Sequence, residues 1–575
     1  LVLVIGLFAL WPRAKATCHQ WEILTPGLAL LSLMVGQAVT PNIGLALQPS
    51  VTIIVCIGIF IALLHSDENH AETLLKMALA IGVVHAGWAM VQWTQGDARS
   101  SGGFFNPNNL AALLAPLITI AIYEALNCAK KSRWFWSFVG LFLIAGLVCS
   151  ASRSGLIAIG ASLSIVLVQR FGKRGLIGIG VLGSALGGLL VWRQLQLDHA
   201  DPYSLSRIAI WRESIALALE HPFGVGLGGY HRAMQAHGIE LEGWVRYPKL
   251  ATQAHSELFQ AWTEIGWLGL VTILSCPLTV GLALRNCHRS SKPIGRDLAL
   301  FAAFAIPALA STTLHVPVIG ALVSIWAAAL FRKAKPFGPA TTLTLGETRV
   351  PALGIGSVLA LLLILAPAVG HHYRQKAISY RAVQNYAEAS EAAIVASKLN
   401  PWSVANHLLM HSLLFLRNGD PFFASQQVAE LGAVFPKDPR PINRAIWLLD
   451  QTKPQELAPS RKDKMKLQLL GELGNRTPKD ALVWKRIAEI HYRRSDIENA
   501  SVALDTCLKI EPHCSTCLAM KADLLYREGQ YPEAKLTARL ALEGDEHAPK
   551  QVRNRHAQIL SLSPNMRKII ENISR

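Results

Sequence analysis

The chain is 575 residues long, 51% hydrophobic, with a formal net charge of +17 and a mean hydropathy of +0.31. That is too apolar for a soluble protein of this size. The charge does not describe a nucleic-acid binder either, because the lysines and arginines are scattered over short loops between apolar blocks.

A helix needs roughly 20 apolar residues to cross a bilayer. About twelve blocks are of that kind: 1–12, 23–39, 51–64, 74–93, 109–126, 134–150, 154–169, 175–192, 257–284, 297–314, 318–331 and 350–370. The first starts at Leu1 rather than Met and is short, which reads as a start inside an N-terminal helix. A cleaved signal peptide is the alternative, but no small-residue cleavage site follows. Basic residues mark alternate loops: Arg13 and Lys15; Lys130, Lys131 and Arg133; Arg170, Lys173 and Arg174; Arg285, Arg289, Lys292 and Arg296; Arg332, Lys333 and Lys335. By the positive-inside rule these are cytoplasmic. Loops 94–108, 151–153, 193–256 and 315–317 then face the periplasm, as does everything after about 371. The loop at 65–73, with Asp67, Glu68 and Glu72, goes against this pattern.

Four segments on the periplasmic side carry polar residues fit for chemistry. The first is Arg99-Ser-Ser-Gly-Gly-Phe-Phe-Asn-Pro-Asn-Asn109, where Asn106 or Asn109 would cap the following helix. The second is the turn Ser150-Ala-Ser-Arg153-Ser-Gly155. A charge so near hydrocarbon is costly without a partner, so Arg153 is either functional or a snorkelling anchor. The third is Arg207, with Trp211 one turn later on the same face; Arg207 and Arg212 could also meet lipid headgroups. The run His221-Pro-Phe-Gly-Val-Gly-Leu-Gly-Gly229 and Tyr230 follow. The fourth is His255-Ser256, then nine residues, then Gly266-Trp-Leu-Gly269, where the long loop becomes a membrane helix. His85, in mid-helix, reads as a satisfied buried histidine, and the scarcity of ionisable midplane positions argues against a transporter.

The second half shows a 34-residue period of the helix–turn–helix kind. Trp484, Ala488, Ala500, Cys507 and Pro512 fall on template positions, and Ala522, Ala534 and Ala541 repeat the offsets. Ala389, Ala396 and Pro401, and Ala424 and Pro436, echo the later part of the pattern, which is degenerate between about 440 and 480. Small residues serve where two helices cross closely, and proline ends the second helix. The region resembles a tetratricopeptide array, a surface for peptides or partner proteins or else a structural cap. Of nine cysteines, Cys507, Cys514 and Cys517 fall in this region. One disulfide among them would suit an oxidising compartment. Zinc would need His513 as fourth ligand, and a redox pair lacks its usual fold, so a structural role is expected.

Two arginines and a histidine fit one reaction in particular. Guanidinium groups bind phosphate oxygens in bidentate fashion and keep their charge; a histidine takes a proton from an acceptor hydroxyl near neutral pH. Together they suit transfer of a sugar from a lipid diphosphate. The periplasmic loops hold no Asp-x-Asp element, so the arginines would do the electrostatic work of a metal, and no cofactor is called for.

On these motifs, residues 94–331 resemble the O-antigen ligase superfamily, which includes lipopolysaccharide O-antigen ligases, protein O-oligosaccharyltransferases and O-antigen polymerases. The matching elements are His255-Ser-x9-Gly-x-x-Gly269, Arg207-x-x-x-Trp211, His221-Pro-Phe-Gly-Val-Gly226 and the turn Ser152-Arg153. The resemblance implies that Arg153 and Arg207 bind the pyrophosphate of an undecaprenyl-linked glycan while His255 assists the acceptor, with inversion and without a metal. Trp211, Arg212, His221, Tyr230, Asn106 and His315 are candidate substrate contacts. Many protein-glycosylating members carry Ser-x-x-Glu-x-Pro in a late turn; here the stretch is Ser311-Thr-Thr-Leu-His315-Val-Pro317, with histidine in place of glutamate. Tetratricopeptide-like tails, in turn, often accompany protein-glycosylating members.

The expected fold is all-α: a polytopic membrane bundle of about twelve helices over 1–370, with a large loop at 193–256, then a soluble tetratricopeptide-like domain over 371–575. The expected function is inner-membrane transfer of an undecaprenyl-diphosphate-linked glycan to lipid A-core or to protein Ser/Thr. The alternatives are a glycan polymerase and a non-catalytic membrane scaffold that uses its helical tail.

Overall fold

The computed structural model describes residues 16–175, 206–334, 340–343, 366–548 and 555–575, apart from isolated positions within those stretches, together with scattered positions between 177 and 188. The first half is a bundle of antiparallel helices: α1 (Gln20–Val39), α2 (Ile43–Leu64), α3 (Glu68–Thr94), α4 (Pro107–Asn127), α5 (Lys130–Ser150) and α6 (Arg153–Phe171). Two helices of a polar loop follow, α7 (Arg207–Glu220) and α8 (Tyr230–His237), and then α9 (Glu257–Arg289), α10 (Gly295–Ala310) and α11 (Pro317–Ala334). Among the described residues, eight helices are long and apolar enough to cross a membrane: α1 to α6, α9 and α11. This corrects the expected dozen in one place: the block at 297–314 forms α10, only 16 residues long, which ends where Ser311 turns extended. The blocks at 1–12, 175–192 and 350–370 lie wholly or mostly outside the described residues.

The bundle is held by small residues that let backbones approach, as membrane helices require in the absence of a hydrophobic driving force. Gly146 of α5 lies directly against Ala86 of α3, and Gly155 of α6 against Ala111 of α4. α4 is the central helix, buried at every position from Leu110 to Ala121.

The two ends of the bundle differ in charge. At one end lie the basic loops after α4, α6, α9 and α11, together with the loop after α2. There Arg296 donates to Glu72 (2.8 Å) and Lys333 pairs with Asp297 (2.7 Å). The acidic 65–73 loop therefore sits at the basic end, where its Glu72 is the counter-ion of Arg296. A short two-stranded antiparallel ribbon, β1 (Ala16–His19) with β2 (Ala340–Leu343), pairs Ala16 with Leu343 in an otherwise all-α fold.

The second half is a run of helices: α12 (Tyr386–Leu399), α13 (Val404–Asn418), α14 (Pro421–Val434), α15 (Arg440–Gln451), α16 (Pro459–Arg476), α17 (Ala481–Arg493), α18 (Ile497–Ile510), α19 (Ser515–Arg527), α20 (Tyr531–Glu546), α21 (Arg555–Leu560) and α22 (Pro564–Ser574). Consecutive helices pack as pairs, α12 on α13, α14 on α15, α17 on α18 and α19 on α20. The alanines of the 34-residue period are the crossing points: Ala389, Ala396, Ala488, Ala500, Ala522, Ala534 and Ala541 are fully buried. The stretch at 440–480, weak in the sequence pattern, forms α15 and α16 all the same. The disulfide expected among Cys507, Cys514 and Cys517 is not formed: the thiols are free and fully buried, and Cys517 Sγ lies 2.9 Å from Cys507 Sγ. His513 turns away to the ring of Trp244, 4.6 Å off.

This array sits at the end of the bundle opposite the basic loops. Trp402 rests on Gly44 at the start of α2, and Arg232 of α8 pairs with the buried Asp438 (2.7 Å). Asp438 also holds Arg440 at 2.7 Å. Burial alone would raise the Asp438 carboxyl, but the bonds and charges of Arg440 and Arg232 pull it below its ordinary value. Its stabilisation is therefore complete above the unfolded value of about pH 4 and is lost only as the pH falls below that. Replacing Asp438 by Ala leaves Arg232 buried without its counter-ion and is expected to cost about 3 kcal/mol. A fall of several degrees in the thermal midpoint of the detergent-solubilised protein checks this, with Arg212→Ala as the neutral surface control.

Candidate functional site

The site is built on a helix break. Inside α9, Gly266 adopts φ 69°, ψ −152°. The break releases two carbonyls from the helical ladder, and the loop after α7 takes them up. Val225 N donates to Thr263 O (2.9 Å), Gly226 N to Glu264 O (3.0 Å), and Trp267 N donates back to Pro222 O (3.1 Å). Gly224, Gly226 and Gly228 all have positive φ. A Cβ on them would stand 2.2 Å from Glu264 O, 2.4 Å from a Thr40 backbone atom and 2.4 Å from Leu45 O; one on Gly266 would stand 1.9 Å from Pro222 O. The two glycine motifs are therefore halves of one joint, and it locks α7, α9 and the turn between α1 and α2 together.

His255 hangs from this joint. Its φ is +51°, a left-handed conformation that only surrounding bonds can impose on a non-glycine residue. Those bonds hold Ala254 from both sides: Trp211 Nε1 donates to its carbonyl (3.0 Å), and its N–H donates to Gln260 Oε1 (2.8 Å). Gln260 is fixed in turn by donating to Glu264 Oε1 (2.9 Å). Burial, and then the charge of Arg207, push the half-buried His255 imidazole below its ordinary value, so it is neutral at pH 7.

Arg207 is the first residue of α7, behind the N-cap Ser206, and Arg153 is the first of α6, behind the N-cap Ser152. Burial, and then the charge of Arg153, pull the Arg207 guanidinium down, although an arginine remains charged at any physiological pH. Each cation thus works against the next. Among the described residues neither has a carboxylate partner. Two guanidiniums thus stand at two helix N-termini, an arrangement chemically suited to an anion.

A second polar group lies beside it. Glu257, Gln260 and Glu264 occupy one face of the first turns of α9 and are all buried. Glu257 accepts from Leu314 N and pairs with His315 Nδ1 (2.9 Å). Burial works against the charge of His315, but Glu257 and then Glu264 outweigh it and raise the imidazole to about 9, so it stays protonated at neutral pH. Glu257, Glu264 and His315 line a cavity of about 290 Å³ between α1, α2, α9 and α11, whose walls are otherwise largely apolar and include Phe60, Trp326 and Phe331.

The remaining candidates are placed as follows. Asn106 caps α4, accepting from Asn108 N (2.9 Å). Trp211 packs on Phe259 and points at Ala254 rather than outward. Arg212 is exposed beside Glu213, and His221 is the exposed C-cap of α7. Tyr230 is buried, with its hydroxyl bonded to Ser214 (2.8 Å) and its phenol pushed up to about 12 by burial. His85, expected to be buried, is only half-buried, and its Nδ1 accepts from Gly103 N (3.1 Å). Sequence reasoning passed over Asn108, whose amide oxygen accepts from Ser152 (3.0 Å) and Arg99 (3.2 Å) and so ties the 99–109 segment to the Arg153 turn. It also passed over Glu257, Gln260 and Glu264; the signal was their spacing on one face of an otherwise apolar helix.

Residues 138–274 match the O-antigen ligase family, so part of the chain carries a domain of that family. The match contains Arg153, Arg207, His255 and Gly266, and leaves out Asn106, His315 and the helical array. No curated protein sequence matches the chain. Among solved structures it is similar to a thermophilic TPR protein of Thermus thermophilus at 17% identity, covering 36% of this chain and 98% of that one, with a TM-score of 0.22. It is also similar to yeast Tom70 at 12% identity, covering 81% of this chain and 88% of that one, with a TM-score of 0.27. Neither superposition is close enough to argue from.

If the joint is as tight as its backbone contacts imply, Gly226→Ala both strains a positive φ and drives a methyl into Thr40. A loss of about 2 kcal/mol or more is expected, read as a lower thermal midpoint, whereas Gly281→Ala, which meets open space, leaves it unchanged.

Proposed function

We propose that this protein is an integral inner-membrane glycosyltransferase that moves a preassembled glycan from an undecaprenyl-diphosphate carrier to an acceptor hydroxyl on the periplasmic side. The observation that carries this reading is the pair Arg153 and Arg207, cations without carboxylate partners among the described residues, held beside a neutral His255. The O-antigen ligase match over the same residues supports it. The basic loops at the opposite end of the bundle support the sidedness, since cytoplasmic loops carry the excess of lysine and arginine.

In this reading the acceptor oxygen attacks the anomeric carbon from the face opposite the carrier, and configuration inverts. The bond from that carbon to the diphosphate oxygen breaks, and its electron pair leaves with the carrier. Arg153 and Arg207 match the charge that gathers on the leaving diphosphate. His255, neutral because of burial and its cationic neighbour, takes the acceptor proton. The acceptor is lipid A-core or Ser/Thr of a protein, and the helical second half is a tetratricopeptide-like domain on the same side of the membrane.

The test is transfer in vitro from a purified undecaprenyl-diphosphate-linked glycan, with lipid A-core and a Ser-rich protein offered side by side. Label on the core makes the protein an O-antigen ligase, label on the protein makes it an O-oligosaccharyltransferase, and lengthening on the carrier alone makes it a polymerase. His255→Ala is expected to lower the rate by about 10²–10⁴, with Arg207→Ala at least as severe; full activity in both variants would sink the reading. Because His255 titrates below its ordinary value, the acid limb of the rate profile should lie below about pH 6.5. An alkaline phosphatase fused after residue 380 should be active, and an inactive fusion would reverse the orientation.

A further inference from the structure

The loop that carries His255 is fastened on two sides. On the inner side Met234, Ile239, Ala251 and Ala254 pack with Ile210 and Leu217 of α7 into a small core beneath Arg207 and His255. On the outer side the loop is seated in the helical array. Leu241 N donates to Arg246 O (2.8 Å) and closes a turn. At the tip of that turn the Trp244 ring stacks on His547, with centroids 4.0 Å apart. Val245 is completely buried among Ala488, Leu504 and Cys514 of the array core. Glu511, itself buried, accepts from the backbone N–H of Arg246 (2.6 Å) and of Tyr247 (2.8 Å) on its two oxygens. Lys479 lies over the Tyr247 ring, and Arg232 reaches the buried Asp438.

A carboxylate that takes two successive backbone amides, an aromatic anchor against imidazole rings and an aliphatic side chain in the repeat core are the means by which a protein holds a peptide. Here the peptide belongs to the same chain. We propose that the array is an intramolecular receptor for the turn at 241–247, and that Glu511 is a positioning residue that fixes the His255 loop for catalysis. The physical need is plain: the described residues from Gly238 to His255 form no helix or strand, and such a loop keeps a strained His255 in place only if both of its edges are pinned. The seat also sets what a partner can do, since a foreign peptide reaches Glu511 only by displacing the loop.

The part of this inference that concerns catalysis rests on the transferase reading; the seat itself does not. The experiment uses the full chain in lipid nanodiscs, as parent, Glu511→Ala, Glu511→Gln and Trp244→Ala. Three quantities are read: tryptic cleavage after Arg246, amide hydrogen exchange over 251–256, and the transfer rate at saturating donor together with the donor KM. In Glu511→Ala, cleavage and exchange should both rise at least tenfold, with kcat falling tenfold or more and the donor KM within twofold of the parent. Glu511→Gln, which keeps one acceptor oxygen, should recover part of each change, and Trp244→Ala should follow Glu511→Ala. Unchanged cleavage after Arg246 in both Glu511→Ala and Trp244→Ala overturns the seat. Faster cleavage with unchanged exchange over 251–256, or with unchanged kcat, overturns the positioning role. A parent that transfers nothing sinks the transferase reading instead, and the exchange result then decides the inference alone.

Discussion

At Gly266 the backbone of a membrane helix leaves helical geometry and hands its freed carbonyls to a glycine-rich loop more than thirty residues earlier. Most of the site follows from that exchange. Because the loop must lie flat against α9, α7 is held at a fixed offset from the start of α9, and Arg207 and His255 come to the same place. Because three of the loop glycines touch backbone, the contact tolerates no side chain and has little freedom to slide. Interiors of this density are bistable rather than soft, so a displacement at the joint would travel to the histidine instead of being absorbed.

The electrostatics are arranged against that rigid frame. At the basic end the charges are neutralised within the protein, Arg296 by Glu72 and Lys333 by Asp297. At the site end Arg153 and Arg207 have no carboxylate partner among the described residues, and burial, followed by the neighbouring cation, lowers both Arg207 and His255. His315 and Glu257 make a neutralised pair within the same region, so one part of it is internally balanced while the other is not. Perturbed titratable groups gathered in one place mark a functional-site candidate.

Much of the fold was legible because it obeys local rules. The apolar blocks located α1 to α6, α9 and α11 to within several residues, and the 34-residue period picked out alanines that prove to be crossing points. Helix starts ran earlier than the blocks, as at Glu68, because polar turns prolong a helix beyond the hydrocarbon. The sequence motifs singled out Arg153, Arg207 and His255, but the contact of Trp211 was not legible, since it bonds a carbonyl 43 positions away. Glu257 and Glu264 hid in a run that reads as lipid-facing. The histidine standing where glutamate was expected also becomes intelligible: the acid is present on α9, and His315 answers it from the opposite loop. The seat of Trp244 and Val245 depends on helices more than 230 residues further on, and no local pattern records it.

The joint also has a place in time. It unites the turn after α1, the loop after α7 and the middle of α9, three segments that leave the ribosome far apart. Contacts of such separation form late, because the chain between them must first be ordered. Glu511 adds a still later requirement. A nascent chain that has already threaded most of its helices would therefore hold both arginines and the histidine, yet not hold them together. The grouping of Arg153, Arg207 and His255 is thus a property of the assembled fold and of no single segment of it.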